Sequence, residues 1–234
     1  MRVLVACEEN QRVCIAFREK GHEAYSCDMQ DCSGGHPEWH IKGDILGLLN
    51  PKLTIPSFER EICFLTCDGV SHTIHGNWDM IIAFPPCTYL TNAGQCNFTR
   101  KNSDRFYRLQ RLYKMYNAVL FVNSIWGCEC PRIAIENPVG VLSTYFSKPT
   151  QIIHPYEYGH SVNKSTCLWL KGLPLLEPTN IVEKDTTVEW GNGNKISKWY
   201  RKTLAECGGD LEKLSQVRSK TFEGVVNAMA EQWG

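Results

Sequence analysis

The sequence carries no net charge, because its 25 lysines and arginines are matched by 25 aspartates and glutamates. A global basic field that would recruit nucleic acid is excluded, so any such contact has to come from a local patch. No apolar stretch approaches the roughly 20 residues needed to span a bilayer. In place of a signal peptide, Met1-Arg2 leads straight into a short apolar run. No C-x-x-C pair occurs among the 12 cysteines, which without a secretory signal read as reduced thiols rather than a disulfide framework. The best zinc candidate, Cys27, Cys32, His36 and His40, suffers from a Cys27 that reads as a buried strand residue. Cys63/Cys67 and Cys128/Cys130 offer nothing better. Internal repeats and low-complexity tracts are missing too. These absences predict a soluble, cytoplasmic protein with no membrane partner and no metal, folded as one domain over residues 1–234.

The residues present begin as a β-α-β unit. Arg2 to Ala6 reads as a strand. Gln11 to Lys20 reads as an amphipathic helix with Val13, Ala16 and Phe17 inward, closed by Gly21. Glu23 to Cys27 reads as a second strand ending at Asp28. Such alternation predicts an α/β fold with a doubly wound, mostly parallel sheet and right-handed crossovers. Asp28 stands where nucleotide-binding folds place a carboxylate for a ribose hydroxyl pair, although a turn cap explains the position equally well. Residues 51–77 interrupt the alternation as a β-hairpin insertion turning at Asp68-Gly69, expected at the surface. Trp78 to Phe84 is the most apolar strand. The helix from about Asp104 to Ile125 shows an apolar period at Leu109, Leu112, Tyr116, Val119 and Leu120. Arg132 to Ile135 is a further buried strand. Shorter strands follow near Gln151 to Ile153 and Thr166 to Leu170, and a final helix covers Phe222 to Trp233.

Two strands end in polar tripeptides, Pro86-Cys87-Thr88 and Glu136-Asn137-Pro138. Ligands of doubly wound sheets sit outside the carboxyl ends of strands, so both tripeptides are expected to face one crevice. A cysteine held on a rigid diproline turn can serve as a nucleophile, or it can be a small buried hydrophobe. A carboxylate ending a buried apolar strand has to be solvated, paired or functional.

The run Trp78 to Cys87, then Ala93-Gly94, then Ile135-Glu136-Asn137-Pro138 resembles the DNA cytosine-C5 methyltransferases, which carry a Pro-Cys nucleophile motif and a Glu-Asn-Val motif in this order. The resemblance runs through residues 1–170 and, faintly, to the end. It is strongest to short, phage-type members that open with a Cys-Glu-Glu loop. It implies a Rossmann-like, S-adenosylmethionine-dependent methyltransferase fold and a covalent mechanism. Cys87 would add to C6 of cytosine, and Glu136 would hold N3 and the exocyclic amine. Lys164 stands in the segment where the family has an Arg-x-Arg motif. The resemblance implies cofactor contacts from Ala6, Cys7, Glu8 and Glu9, from Asp28 and Met29, from Asp44 and Ile45, and from Pro85. The cofactor ammonium group would pair with Glu8 or Glu9.

Three departures accompany it. Ala6-Cys7-Glu8-Glu9-Asn10 replaces the family's Gly-rich loop, and Lys164-Ser165-Thr166 replaces both arginines. Only a reduced recognition region, 171–218, precedes the final helix. DNA is the implied partner, with Arg100, Lys101, Arg105, Lys198 and Arg201 as phosphate contacts and a short or relaxed sequence preference, unless a partner protein supplies targeting. A free cytidine nucleotide or a single strand would suit the short region as well, and transfer of another cofactor-derived group would suit the altered loop. A catalytically inactive binding protein is the reading from another class.

Overall fold

The computed structural model describes residues 1–49, 61–92, 104–190 and 193–234. Its centre is a seven-stranded sheet. Strand β1 (Arg2–Ala6) pairs in parallel with β2 (Glu23–Asp28), and β2 with β3 (His40–Lys42). The hairpin strands β4 (Glu61–Leu65) and β5 (Ser71–His75) form a small sheet of their own. The chain then returns to the other side of β1 as β6 (Met80–Ala83), followed outward by β7 (Ile133–Pro138), both parallel to β1. The last two strands, β8 (Gln151–Ile153) and β9 (Thr166–Lys171), complete the order β3-β2-β1-β6-β7-β9-β8, with β9 antiparallel to both neighbours. The strand order therefore reverses between β1 and β6, and the ends of those two strands define the crevice where such sheets bind ligands.

Strict alternation along the buried strands sends side chains to two cores. Val3, Val5, Met80, Ile82 and Ala134 face α1 (Arg12–Glu19) and a C-terminal helix, Glu223–Trp233, through Val13, Phe17, Val226, Met229 and Trp233. Leu4, Ala6, Ile81, Ala83, Ile133 and Ile135 face α2 (Arg105–Gly127) through Met115, Val119, Val122 and Ile125. Helices on both faces make the sheet doubly wound. Among the described residues no helix is long and apolar enough to cross a membrane, and the eleven described cysteines are free.

Four expectations are corrected by the packing. The hairpin is not a mere surface feature, since Ile62, Phe64 and Ile74 are buried against Tyr25 and Trp78; its residues 51–60 lie outside the described residues. On α2 the inward stripe is Arg111, Met115, Val119, Val122 and Ile125, whereas Leu109, Leu112, Tyr116 and Leu120 are exposed. Strand β7 does not stop at Ile135 but runs through Glu136-Asn137-Pro138, paired with β9. Finally, the region 171–218 folds as a hairpin, β10 (Thr187–Trp190) with β11 (Asn194–Ser197), and two helices, Lys198–Glu206 and Leu211–Ser219. Ser197 and Asp210 cap those helices through their side chains, a start signal that sequence reading overlooked.

Candidate active site

The crevice is built from three loops. After β1, Cys7 and Gln11 both take positive φ, 60° and 59°, conformations in which glycine would be free of the Cβ penalty. The loop tolerates them because it is pinned. Cys7 and Glu8 donate their backbone N–H groups to the Cys27 carbonyl at 2.7 and 3.2 Å. Gln11 bonds Ser26, the His36 carbonyl and the His36 N–H through its buried amide. Glu8 turns inward and accepts from the Val13 and Cys14 N–H groups at 2.7 and 3.2 Å. The N-terminus of α1 is thus capped from within, so this loop is not a phosphate cradle. Burial raises the Glu8 carboxyl to about 7, against the lowering effect of those two bonds. Glu8, 3% exposed, and Ala6, fully buried, line neither cavity described below. Glu9 does line the second one, and it also bonds Ser33.

After β6, Pro85-Pro86 turns the chain and Cys87 opens a short 3-10 turn, half-buried. Arg111 donates to the Thr88 carbonyl at 3.3 Å, with Tyr89 beneath its guanidinium. The most basic part of α2 therefore includes a residue that supports the loop carrying Cys87. After Ile135, Asn137 is 1% exposed and donates to the Pro85 carbonyl at 2.8 Å. This bond ties the two polar tripeptides together. A second tie lies just beyond, where Val141 N–H donates to the Leu90 carbonyl at 2.8 Å and Gly140 packs against the same oxygen.

Two cavities share the switch point. The first, about 480 Å³, is lined by Cys7, Asp28, Met29, Asp44, Ile45, Pro85, Tyr89 and Phe121. The second, about 530 Å³, is lined by Cys87, Glu136, Asn137 and Lys164, and it shares Cys7, Asp28, Pro85 and Pro86 with the first. The structure thus brings Cys87, Glu136 and Lys164 to one cavity, and six of the nine expected cofactor residues to the adjoining one.

Electrostatics in the second cavity follow from burial. The Cys87 thiol is pushed up by burial and by Glu136, and drawn down by the charges of Lys164 and Arg218. Burial also raises the Glu136 carboxyl, opposed by Lys164. A carboxyl raised by burial can share or donate a proton to a ligand nitrogen, which a fully ionised one cannot.

Other expected residues fall elsewhere. Arg105, Lys198 and Arg201 line neither cavity, and Arg100 and Lys101 lie outside the described residues, as do Ala93-Gly94. Beside Lys198, Trp199 packs on Phe222. The far wall of the second cavity comes from Ser215, Gln216, Arg218, Ser219 and Lys220, none of which the sequence singled out. Of the zinc candidates, His40 is buried with both ring nitrogens engaged, one to Ser26 and one to the Gln30 carbonyl.

No family model matches the chain, and no curated protein does. Among solved structures it is similar to an E. coli prophage-encoded protein described as a DNA modification methyltransferase. The two are 14% identical with a TM-score of 0.39, and the match covers 78% of this chain and 52% of that one. The chain thus spans about half that protein's length.

Proposed function

We propose that this protein transfers a methyl group from S-adenosylmethionine to C5 of a cytosine, through a covalent adduct on Cys87. The observation that carries the reading is the convergence of Cys87, Glu136 and Lys164 on one cavity that opens onto a second at the strand-order switch. The first cavity suits the cofactor. Asp28 stands at the end of β2 for the ribose hydroxyls, while Met29, Ile45, Tyr89 and Phe121 offer apolar walls for a purine. When bound there, the cofactor supplies an electrophilic methyl group.

The chain's own part is to make C5 nucleophilic. Cys87 Sγ, as thiolate, adds to C6 and breaks the 5,6 double bond. Glu136 on the N3 and amine edge offsets the charge that develops, and Lys164 is close enough to lower both neighbouring pKa values. After C5 is substituted, loss of its proton to a base and expulsion of the thiolate restore the ring. Burial and Glu136 hold the Cys87 thiol up, so Lys164 and Arg218, which draw it down, favour the attacking thiolate. DNA is the first substrate to test, and a cytosine inside a duplex would have to be flipped out at a cost of a few kcal/mol.

Purified protein incubated with labelled cofactor and with duplex DNA, single-stranded DNA and cytidine nucleotides is expected to yield C5-methylated cytosine. Cys87→Ser should abolish turnover with the fold intact. Absence of modified cytosine on every substrate would end this reading, and a product mass increment other than a methyl group would revise the transferred group.

A further inference from the structure

The second cavity is electrically polarised. Glu9, Asp28 and Asp31 line it, and Asp28 is shared with the first cavity; Lys164, Arg218 and Lys220 also line it, and Lys164 and Lys220 are shared with a smaller cavity around Glu136. Among the described residues none of these three cations takes part in an ion pair. Arg218 is held in place without being neutralised, since its guanidinium lies 5.1 Å from the centre of the Tyr200 ring. Its backbone carbonyl also accepts from the Lys164 ammonium at 3.1 Å.

The three cations are not equivalent. Lys164 and Lys220 line both the second cavity and a smaller one around Glu136, whereas Arg218 lines only the second, together with Cys87. Arg218 therefore lies on the nucleophile's side of Lys164. A cytosine placed with C6 over Cys87 and N3 toward Glu136 directs N1, which neighbours C6, away from Glu136. The sugar and its phosphate leave from N1. They emerge on the side where Arg218 stands, with Lys220 beside it on the same wall.

We propose that Arg218, flanked by Lys220, binds the 5′-phosphate of the target cytidine nucleotide; this rests on the reading of Cys87 and Glu136 above. A stacked guanidinium suits the task because it presents a planar fork of donors to phosphate oxygens. The phosphate can belong to a free nucleotide or to a strand, and the chemistry at Arg218 is the same for both.

The test is calorimetric titration of the full-length protein with deoxycytidine, dCMP, dTMP and a short single-stranded oligonucleotide bearing one cytosine, beside Arg218→Gln, Arg218→Lys and Lys220→Gln. We expect dCMP to bind about tenfold tighter than deoxycytidine, the size of one charge-assisted hydrogen bond. Arg218→Gln should erase that preference and leave deoxycytidine affinity unchanged, and Arg218→Lys should restore part of it. In turnover, Arg218→Gln should raise KM for dCMP by more than it lowers kcat, because the same charge also draws the Cys87 thiol down. An Arg218 effect seen with the oligonucleotide but not with dCMP assigns the phosphate to a strand and still supports the site. An unchanged preference for dCMP and an unchanged affinity for the oligonucleotide in Arg218→Gln together overturn the proposal and leave the cytosine reading standing. Equal binding of dTMP and dCMP, both lost in Arg218→Gln, keeps the phosphate site and removes the cytosine reading. No binding of any ligand removes both.

Discussion

Cys87 and Glu136 illustrate how two ordinary residues acquire chemistry from their surroundings. Burial and the neighbouring carboxyl hold the thiol above its usual value, while Lys164 opposes them. Alkylation of Cys87 by iodoacetamide, followed on its own peptide by mass spectrometry, should therefore rise with pH later than that of free cysteine. Lys164→Met should shift the profile further up, and Glu136→Gln should shift it down. Glu8 presents the opposite lesson. Its folded pKa, about 7, lies above the ordinary carboxyl value of 4.5, so between those pH values the unfolded chain releases a proton that the folded chain keeps. Its contribution to stability is present below about pH 4.5 and is lost as pH rises toward 7 and beyond. Denaturant midpoints measured from pH 4 to 8 should show this decline, and Glu8→Gln should flatten it. From sequence, Glu8 and Glu9 were interchangeable candidates; only the path of the loop sends one into the cap of α1 and the other into the cavity.

Elements set the spacing of the site. The loops after β6 and β7 are fastened by the Asn137–Pro85 hydrogen bond and by the approach of Gly140 to the Leu90 carbonyl. A Cβ at Gly140 would stand 1.8 Å from that oxygen, so Gly140→Ala must displace one loop. We expect a loss on the order of 2 kcal/mol in denaturant unfolding and a larger fractional loss of turnover. Asn137→Ala strands a buried carbonyl and should cost about 1–2 kcal/mol; full activity in this variant would show that the tie does not position Cys87. Much at this scale was legible in the sequence, because strands buried on both faces announce themselves as apolar runs: the residues of β1, β2, β6 and β9 were anticipated to within a few positions. Helix α2 was anticipated in extent but not in orientation. It carries two apolar stripes, and periodicity alone does not say that Met115, Val122 and Ile125 face the sheet while Leu109, Leu112 and Tyr116 face out. The two helices before the last were missed because the segment Lys198–Ser219 has few apolar residues to mark a period.

At the scale of the whole molecule, the doubly wound sheet places the two cavities side by side across the β1–β6 switch. A cofactor that binds only the folded chain stabilises it by mass action, by about 2.7 kcal/mol at a hundredfold excess over Kd. For a chain of this length that corresponds to a rise in Tm of roughly 5–10 °C. Differential scanning fluorimetry with S-adenosylmethionine should show it; Asp28→Ala should reduce it, and no rise at saturating cofactor would count against the first cavity as its site. The sequence by itself determined the alternating α/β order, the apolar strands and the two polar tripeptides, because periodicity and strand-terminating prolines are local properties of the chain. Only the tertiary structure decided which glutamate caps a helix, which face of α2 is buried, and that Arg218 and Lys220 wall the cavity of Cys87. Those outcomes depend on bringing together residues far apart in sequence, as Cys87 and Arg218 are brought to one cavity, and no local pattern encodes them.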